Sequence, residues 1–381
     1  MGGNEKINRF RWIDNLKLVA AWGIALGHLM NALAVGEKHE FFALSKTINF
    51  YLLSGILNGE LWVVLFCMIS GYLLARKKIT TLENFFFSVF QRYFRFVIPL
   101  FFANLFAYVI YCSIGYYTAK CGGVLDNTWI ASMYNTSMSF CSVIKNSITL
   151  GNQLNSTLWV IRHMYIASCL IYLTKYVSFR LRKDLFVLEI VVSVLMICCP
   201  YTSFIGCCYI GMCLEKMSKM CEENSFFQNV LFVLMILCVF MMCGGQSWIA
   251  YKTGLNILKM NLYWEVFYVL IFLLSIFINV NLKCRLEFRI LNGDGAQASF
   301  SLYMIHWPII CSVSMWGFLL LYSVTSAYLT SYVVTLLVSI VIIAILSDLY
   351  GKYVGKLEKN ILGRLNLILS KREDRLIKRK L

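Results

Sequence analysis

Four polar side chains share one face of the first apolar segment of this chain. Lys17 and His28 are eleven residues apart, so on a helix they differ by about 20° around the axis and about 16 Å along it. Asp14 lies about one turn before Lys17, and Asn31 lies about one turn after His28. Histidine is the side chain best suited to take a proton from a hydroxyl near neutral pH. The stripe therefore predicts acid–base chemistry at His28, and a buried histidine bonded to the backbone is the structural alternative.

A second set of charges includes Arg162, near the start of a later apolar run. An ionisable group inside an apolar segment is costly without a partner, so Arg162 needs a counter-charge or an anionic ligand. Glu265 and Glu60 each stand at the start of another run, and either could pair with Arg162. The sequence leaves open whether these residues form a structural ion pair or part of a binding site.

Two further groups have both a structural and a functional interpretation. His306 stands two residues before Pro308, which removes a backbone hydrogen bond to Met304 and should loosen the helix there. The alternative for His306 is a satisfied core histidine. Arg92 and Arg95 are neighbours on one helical face and could grip a phosphorylated ligand. The alternative for the two arginines is ordinary positive charge at the edge of a membrane segment.

The composition indicates what kind of scaffold positions these residues. Of the 381 residues, 60% are hydrophobic and only 14% are charged, whereas soluble domains carry about 25% charged residues. This excludes an ordinary soluble enzyme, a disordered chain and a small disulfide-linked domain. Apolar segments of about 20 residues joined by short loops instead predict an all-α integral membrane protein, a bundle of about ten transmembrane helices.

The distribution of positive charge predicts the orientation of this bundle. With the N-terminus in the cytoplasm, 28 of the 35 Lys and Arg residues fall on the inside and 6 on the outside, as the positive-inside rule requires. An even number of crossings then makes both termini cytoplasmic. The same rule explains the net charge of +16 without a nucleic-acid partner. The apolar runs are 16–35, 61–74, 96–113, 158–173, 185–199, 204–214, 226–243, 262–280, 300–321 and 327–346.

The remaining segments indicate where ligands meet the bundle. Residues 115–157 form the longest outside stretch, rich in Asn, Ser and Thr, and are either the wall or lid of a polar site or a mobile connector. Residues 1–350 are expected to form the membrane domain, and the basic, amphipathic residues 351–381 a cytoplasmic tail on the anionic inner leaflet. No Cys/His spacing is typical of a metal site. Cys121 and Cys141 are the one cysteine pair worth testing for a disulfide.

Short motifs follow the Lys17–His28 pair in order along the chain, at 66–74 (FCMISGYLL), 92–99 (RYFRFVIP), 158–162 (LWVIR), 264–265 (WE) and 301–308 (SLYMIHWP). Together they resemble acyltransferase family 3, bacterial integral-membrane O-acyltransferases that often act on cell-surface sugars. The first helix of that family usually carries an arginine, ten further residues and a histidine. Here Lys17 stands in the arginine position before His28, which keeps the charge but loses the bidentate guanidinium. The resemblance covers roughly residues 9–350.

The resemblance implies an acyl-CoA-dependent O-acetyltransferase in the bacterial cytoplasmic membrane. Acetyl-CoA, or a similar acyl-CoA, would be the co-substrate and would dock from the cytoplasm, with no metal involved. His28 would act as general base on the hydroxyl of an extracytoplasmic sugar or polysaccharide, or would carry the acyl group transiently. The implied partners are the acyl-CoA, the sugar acceptor and the lipid bilayer. The implied catalytic residues are His28, Asp14, Arg162 and Glu265, and the implied donor-binding residues are Lys17, Arg92, Arg95 and His306.

Two other functions stay open at this point. A polytopic carrier or flippase for a polysaccharide precursor or small solute also uses intramembrane His, Arg and Glu, although the sequence has no inverted repeat. Such a carrier would work without a thioester donor. A non-catalytic partner in a polysaccharide export complex would tolerate the loss of His28.

Overall fold

The computed structural model describes residues 11–43, 58–134, 137–222, 225–255, 261–279, 286 and 295–378. Every regular element of three or more residues in these ranges is a helix, so the prediction of an all-α protein is confirmed. Lys283, Arg285 and Arg289, which the predicted orientation uses, lie outside the described residues. The helices are α1 (Arg11–Ala32), α2 (Gly59–Ala75), α3 (Leu82–Ser113), α4 (Thr118–Val124), α5 (Thr128–Ala131), α6 (Phe140–Thr149), α7 (Trp159–Leu181), α8 (Phe186–Cys198), α9 (Ser203–Glu222), α10 (Ser225–Phe240), α11 (Gln246–Thr253), α12 (Leu262–Ile278), α13 (Gly295–Ile309), α14 (Met315–Thr325) and α15 (Tyr328–Lys378).

Each predicted apolar run overlaps a helix. Two runs continue through π-helical turns, at Met241–Gly245 after α10 and at Ile310–Ser314 after α13. Within the described residues, five helical stretches are long and apolar enough to cross a membrane, and three shorter apolar helices accompany them. The chain is therefore a multi-pass membrane protein, while the number of ten crossings and the side of the termini stay predictions.

Helix α2 is central to the bundle, because it packs against α1, α7, α9 and α12. Its contact with α9 is close: a Cβ on Gly71 would lie 1.8 Å from the carbonyl oxygen of Cys208. A Cβ on Gly211 would lie 2.0 Å from the carbonyl oxygen of Met68. Larger side chains would force the two helices apart. Helix α1 packs against both α2 and α13, so residues on the facing sides of these three helices can form one site.

Pro308 shapes α13 as the sequence predicts. Proline has no N–H to donate to the Met304 carbonyl four residues earlier, and Asn155 Nδ2 donates to that carbonyl instead, at 2.8 Å. The helix then widens into its π-helical turn, where the Cys311 carbonyl accepts from the Tyr117 N–H at 2.8 Å. Both donors belong to the segment 115–157, so this segment is fastened to α13 beside His306.

The described part of the segment 115–157 folds into α4, α5 and α6 and forms a wall of the bundle. Asn127 Nδ2 donates to the Asn31 carbonyl at 3.0 Å, which ties the segment to the end of α1. Trp307 Nε1 donates to the Tyr134 hydroxyl at 2.8 Å, which ties it to α13. Of the two interpretations of this segment, the structure favours a wall over a loose connector.

The described cysteines are all free. Cys121 is buried and Cys141 is exposed, so the pair that the sequence selects for testing forms no disulfide. The fifteenth cysteine, Cys284, lies outside the described residues.

Helix α15 runs without a break from Tyr328 through the expected domain boundary at residue 350. The Gly351 carbonyl accepts a hydrogen bond from Gln297 Nε2 of α13, and Glu358 lies 3.8 Å from Arg95 of α3. The first turns of the predicted tail therefore pack on the bundle. Contact of the later turns with the inner leaflet stays a prediction.

Candidate functional site

A cavity of about 620 Å³ lies where α1 ends and α2 begins. His28 of α1 is half-buried on its wall. Of the stripe predicted on α1, Asp14, Lys17 and His28 are partly buried and Asn31 is exposed, and His28 and Asn31 both line the cavity. The segment 115–157 contributes Trp129 and Thr157 to the cavity wall. The lining residues are Ile24, Gly27, His28, Asn31, Gly59, Glu60, Val63, Trp129, Thr157, Trp159 and Tyr303.

The fold brings His28 and His306 into contact. Their imidazole rings stack with centroids 5.5 Å apart and planes 17° apart, and the Trp307 ring lies 5.3 Å from that of His28. Gly59 leaves room above His28, because a Cβ at this position would lie 3.9 Å from His28 Nε2. Nε2 of His28 therefore has free space on the side of α2.

His306 is fully buried behind His28. Its Nδ1 lies 3.1 Å from the Leu302 carbonyl oxygen and 3.0 Å from that of Tyr303. Because carbonyls only accept, we assign the proton to Nδ1, which leaves Nε2 with a lone pair. Nε2 has no hydrogen-bond partner among the described residues. His306 thus belongs beside His28, although the sequence groups it with the donor-binding residues.

Two carboxyl groups lie at the start of α2 and α12. Glu265 is only 1% exposed, and its Oε1 accepts a hydrogen bond from Asn58 Nδ2. Its Oε2 has no hydrogen-bond partner among the described residues. Asn58 also caps α2, since its Oδ1 accepts from the Glu60 N–H at 3.0 Å. Asn58 thereby joins the first turn of α2 to Glu265.

Arg162 does not join this arrangement. Its side chain is exposed on α7 and does not line the cavity. Within the described residues it forms no ion pair with Glu265 or Glu60, so neither of the two predicted pairs is present. Asn58, a neutral amide, meets the polar requirement of Glu265 instead. Arg162 is thus left available to an anionic group outside the cavity.

A cationic cluster, Lys17, Arg92 and Arg95, lies towards the other end of α1. Lys17 interacts electrostatically with both arginines, which repel it, and with Asp14, which attracts it. Arg92 Nε donates to Ser168 Oγ at 3.1 Å. Since α1 is continuous, about 16 Å of helix separates Lys17 from His28. The fold therefore gathers the three predicted phosphate-binding cations and joins them to His28 through one helix.

A second, larger groove of about 740 Å³ lies on the opposite faces of α1 and α2. Trp22 and Trp62 are among its residues, and its walls are almost wholly apolar. It offers few groups for acid–base chemistry. Within the described ranges, no group of three His, Cys, Asp or Glu side chains is arranged to hold a metal ion.

Sequence reasoning missed several residues of the cavity. Gly59 matters because it has no side chain, and an isolated glycine carries little signal. Trp129 is 40% exposed on a four-residue helix and reaches the cavity wall. The sequence suggests Glu60 only as a partner of Arg162, and its position at the start of an apolar run is the one signal for a role at the site.

Comparison with known proteins agrees with the motifs. The family model of acyltransferase family 3, described as an acyltransferase domain, matches residues 10–347, nearly the whole chain. No curated protein and no solved structure matches the chain.

Proposed function

Because the chain belongs to acyltransferase family 3 and is a membrane acyltransferase, we propose that it moves an acetyl or similar short acyl group from cytoplasmic acyl-CoA to a sugar hydroxyl. The sugar is part of an extracytoplasmic glycan, and the membrane is the bacterial cytoplasmic membrane. In this proposal the cavity end of the bundle faces outwards and the cationic cluster faces the cytoplasm.

One observation carries the proposal: a single helix joins two chemically different sites. At one end of α1, Lys17 lies among the charges of Arg92 and Arg95. At the other end, His28 lines a cavity with polar and aromatic walls. Guanidinium and ammonium groups suit the phosphates of CoA, and an imidazole suits a hydroxyl that must lose a proton.

The reaction follows from these two sites. His28 Nε2 takes the hydroxyl proton while the sugar oxygen bonds to the carbonyl carbon of the thioester. The carbon–sulfur bond then breaks, and CoA leaves with its sulfur taking the proton from His28. In the covalent alternative His28 Nε2 bonds to the thioester carbonyl carbon first, the carbon–sulfur bond breaks, and CoA leaves as its thiolate. The sugar oxygen then bonds to the same carbon, the carbon–nitrogen bond to His28 breaks, and the hydroxyl proton goes to the CoA thiolate.

The other candidate residues support these steps in the proposal. His306, whose Nδ1 lies between two carbonyls, holds the His28 ring by stacking. Asp14 lies among the charges that act on Lys17 and orients the donor-binding end of α1. Glu265 fixes Asn58 and thus the first turn of α2 beside the cavity. Arg162 guides anionic parts of the glycan outside the cavity.

The proposal is tested by acyl transfer in membrane vesicles supplied with labelled acetyl-CoA on the cytoplasmic side. His28→Ala should lower transfer to the glycan by a factor of about 10² to 10⁴, the usual contribution of a positioned general base. His39→Ala is the matched control, because His39 packs against Phe41 and Tyr328 away from the cavity. Equal label in wild-type and His28→Ala vesicles would contradict the proposal.

A pulse experiment separates the two forms of the mechanism. Labelled acetyl-CoA is supplied without acceptor, and the protein is then denatured and digested. Label on the peptide that contains His28 indicates that His28 carries the acyl group. No label on this peptide, in an enzyme that transfers the acyl group once acceptor is added, indicates that His28 acts as general base.

A further inference from the structure

The charge of the cavity wall points to the kind of sugar that the cavity accepts. We infer that the acceptor ring beside His28 is neutral or amino-bearing, and that Glu60 excludes rings which carry a carboxylate or phosphate. The inference takes the sugar from the proposed function and adds its charge class.

Glu60 is a carboxylate on the wall of the cavity. It lies in the first turn of α2, where the helix dipole favours an acid. The dipole explains an acid at this position, but it does not explain why the side chain lines a cavity and stays exposed there. Within the described residues it forms no ion pair and no side-chain hydrogen bond. Its charge is therefore presented to whatever enters.

No described residue of the lining supplies a compensating positive charge. The lining contains neither Lys nor Arg, and the exposed Arg162 is not part of it. Glu60 also interacts electrostatically with a second carboxyl group, the buried Glu265. An anionic ring would place like charges together in a partly desolvated site, which strongly disfavours binding.

The other walls suit a sugar ring without a negative charge. Trp129, Trp159 and Tyr303 offer aromatic surface, and Asn31 and Thr157 offer polar groups. Mostly apolar walls with a few polar groups are typical of sites that orient a small neutral ligand. Aromatic faces also attract cations, so an amino group on the ring is compatible with both the rings and Glu60.

The test compares methyl glucoside with methyl glucuronide, which differ only in the carboxylate at C6. Binding of each to the purified protein in nanodiscs is measured without acyl-CoA. The glucoside should bind at least about tenfold more tightly to the wild type. Glu60→Gln should bring the ratio towards one, and Glu60→Lys should reverse it.

Asp126→Asn is the matched control. Asp126 lies in the segment 115–157, where its Oδ2 accepts from the Lys38 N–H at 3.2 Å, and it does not line the cavity. Its φ of 54° is readily adopted by Asn, so the ratio should not change. Gel filtration shows that each variant is folded, and the isosteric Glu60→Gln carries the test if Glu60→Lys does not fold.

Three results would overturn the inference. The first is that the wild type binds the glucuronide as tightly as the glucoside, or more tightly. The second is that the wild type binds neither ring, and the third is a ratio that Glu60→Gln leaves unchanged. If the glucoside is preferred through Glu60 but acetyl-CoA yields no acyl transfer, the charge preference stands and the proposed function fails.

Discussion

Replacing Gly59 by Ala separates activity from stability at the candidate site. The new methyl group would lie 3.9 Å from His28 Nε2. An acceptor oxygen must approach that nitrogen to about 3 Å. If the acceptor oxygen approaches within about 60° of the line from Nε2 to the methyl carbon, the distance between that oxygen and the methyl carbon falls below about 3.5 Å. The methyl group therefore obstructs about a quarter of the directions around Nε2, and these directions are on the side of the cavity.

The expected loss of activity follows from this obstruction. Displacing a reacting atom by about 1 Å costs up to about 10²-fold in rate, so kcat/KM for acyl transfer should fall by about 10- to 100-fold, or about 1.4 to 2.7 kcal/mol. Stability should not fall, since the first helical turn accepts Ala and Gly→Ala gains up to about 0.5 to 1 kcal/mol in a helix. The assay measures transfer in vesicles and thermal unfolding of the same preparation.

Gly317→Ala is the control for this prediction. Gly317 lies within α14, and a Cβ there would have no neighbour within 4 Å. Activity should therefore stay close to that of the wild type, and stability should not fall. Full activity of Gly59→Ala would refute the claim that the acceptor reaches His28 from this cavity.

Lys17→Ala should raise KM for acyl-CoA by about tenfold or more, since a charged hydrogen bond contributes about 1.5 to 3 kcal/mol. It should not lower the melting temperature, because Arg92 and Arg95 repel Lys17. Lys17→Arg should preserve donor binding. Asn58→Ala removes the cap of α2 and the hydrogen bond to Glu265 and should lower the free energy of unfolding by about 2 kcal/mol or more, measured by thermal unfolding. Gly71→Ala puts a methyl group 1.8 Å from the Cys208 carbonyl oxygen and should destabilise the protein by about 1 to 3 kcal/mol. Gly363→Ala, with open space around it, should not destabilise the protein. A tag after Leu381 should resist an impermeant reagent in intact cells, because the charge distribution predicts a cytoplasmic C-terminus.

The helices and the polar stripe of α1 could be predicted from sequence, because both depend on local periodicity. Hydropathy places each apolar run on a helix, and the spacing of Lys17 and His28 gives their shared face directly. The effect of Pro308 is also local, since the missing N–H frees a carbonyl four residues earlier. That Asn155 satisfies this carbonyl could not be predicted, because the two residues are 149 positions apart.

The partners of the charged residues depend on tertiary packing. Sequence offers several acids for Arg162 and no rule for choosing between them, and the fold leaves Arg162 exposed and gives Glu265 an amide partner. The stacking of His28 on His306 is likewise set by the packing of α1 on α13. Residues that act by lacking a side chain, such as Gly59, have no chemical signature of their own.

The sidedness of acyl transfer tests the central claim most directly. Labelled acetyl-CoA is confined to one face of oriented vesicles, and the glycan acceptor is confined to the other. We predict product only when the donor is on the face of Lys17, Arg92 and Arg95 and the acceptor is on the face of the His28 cavity. Equal transfer with donor and acceptor both on the side of the cationic cluster, or with the two faces exchanged, would contradict the account.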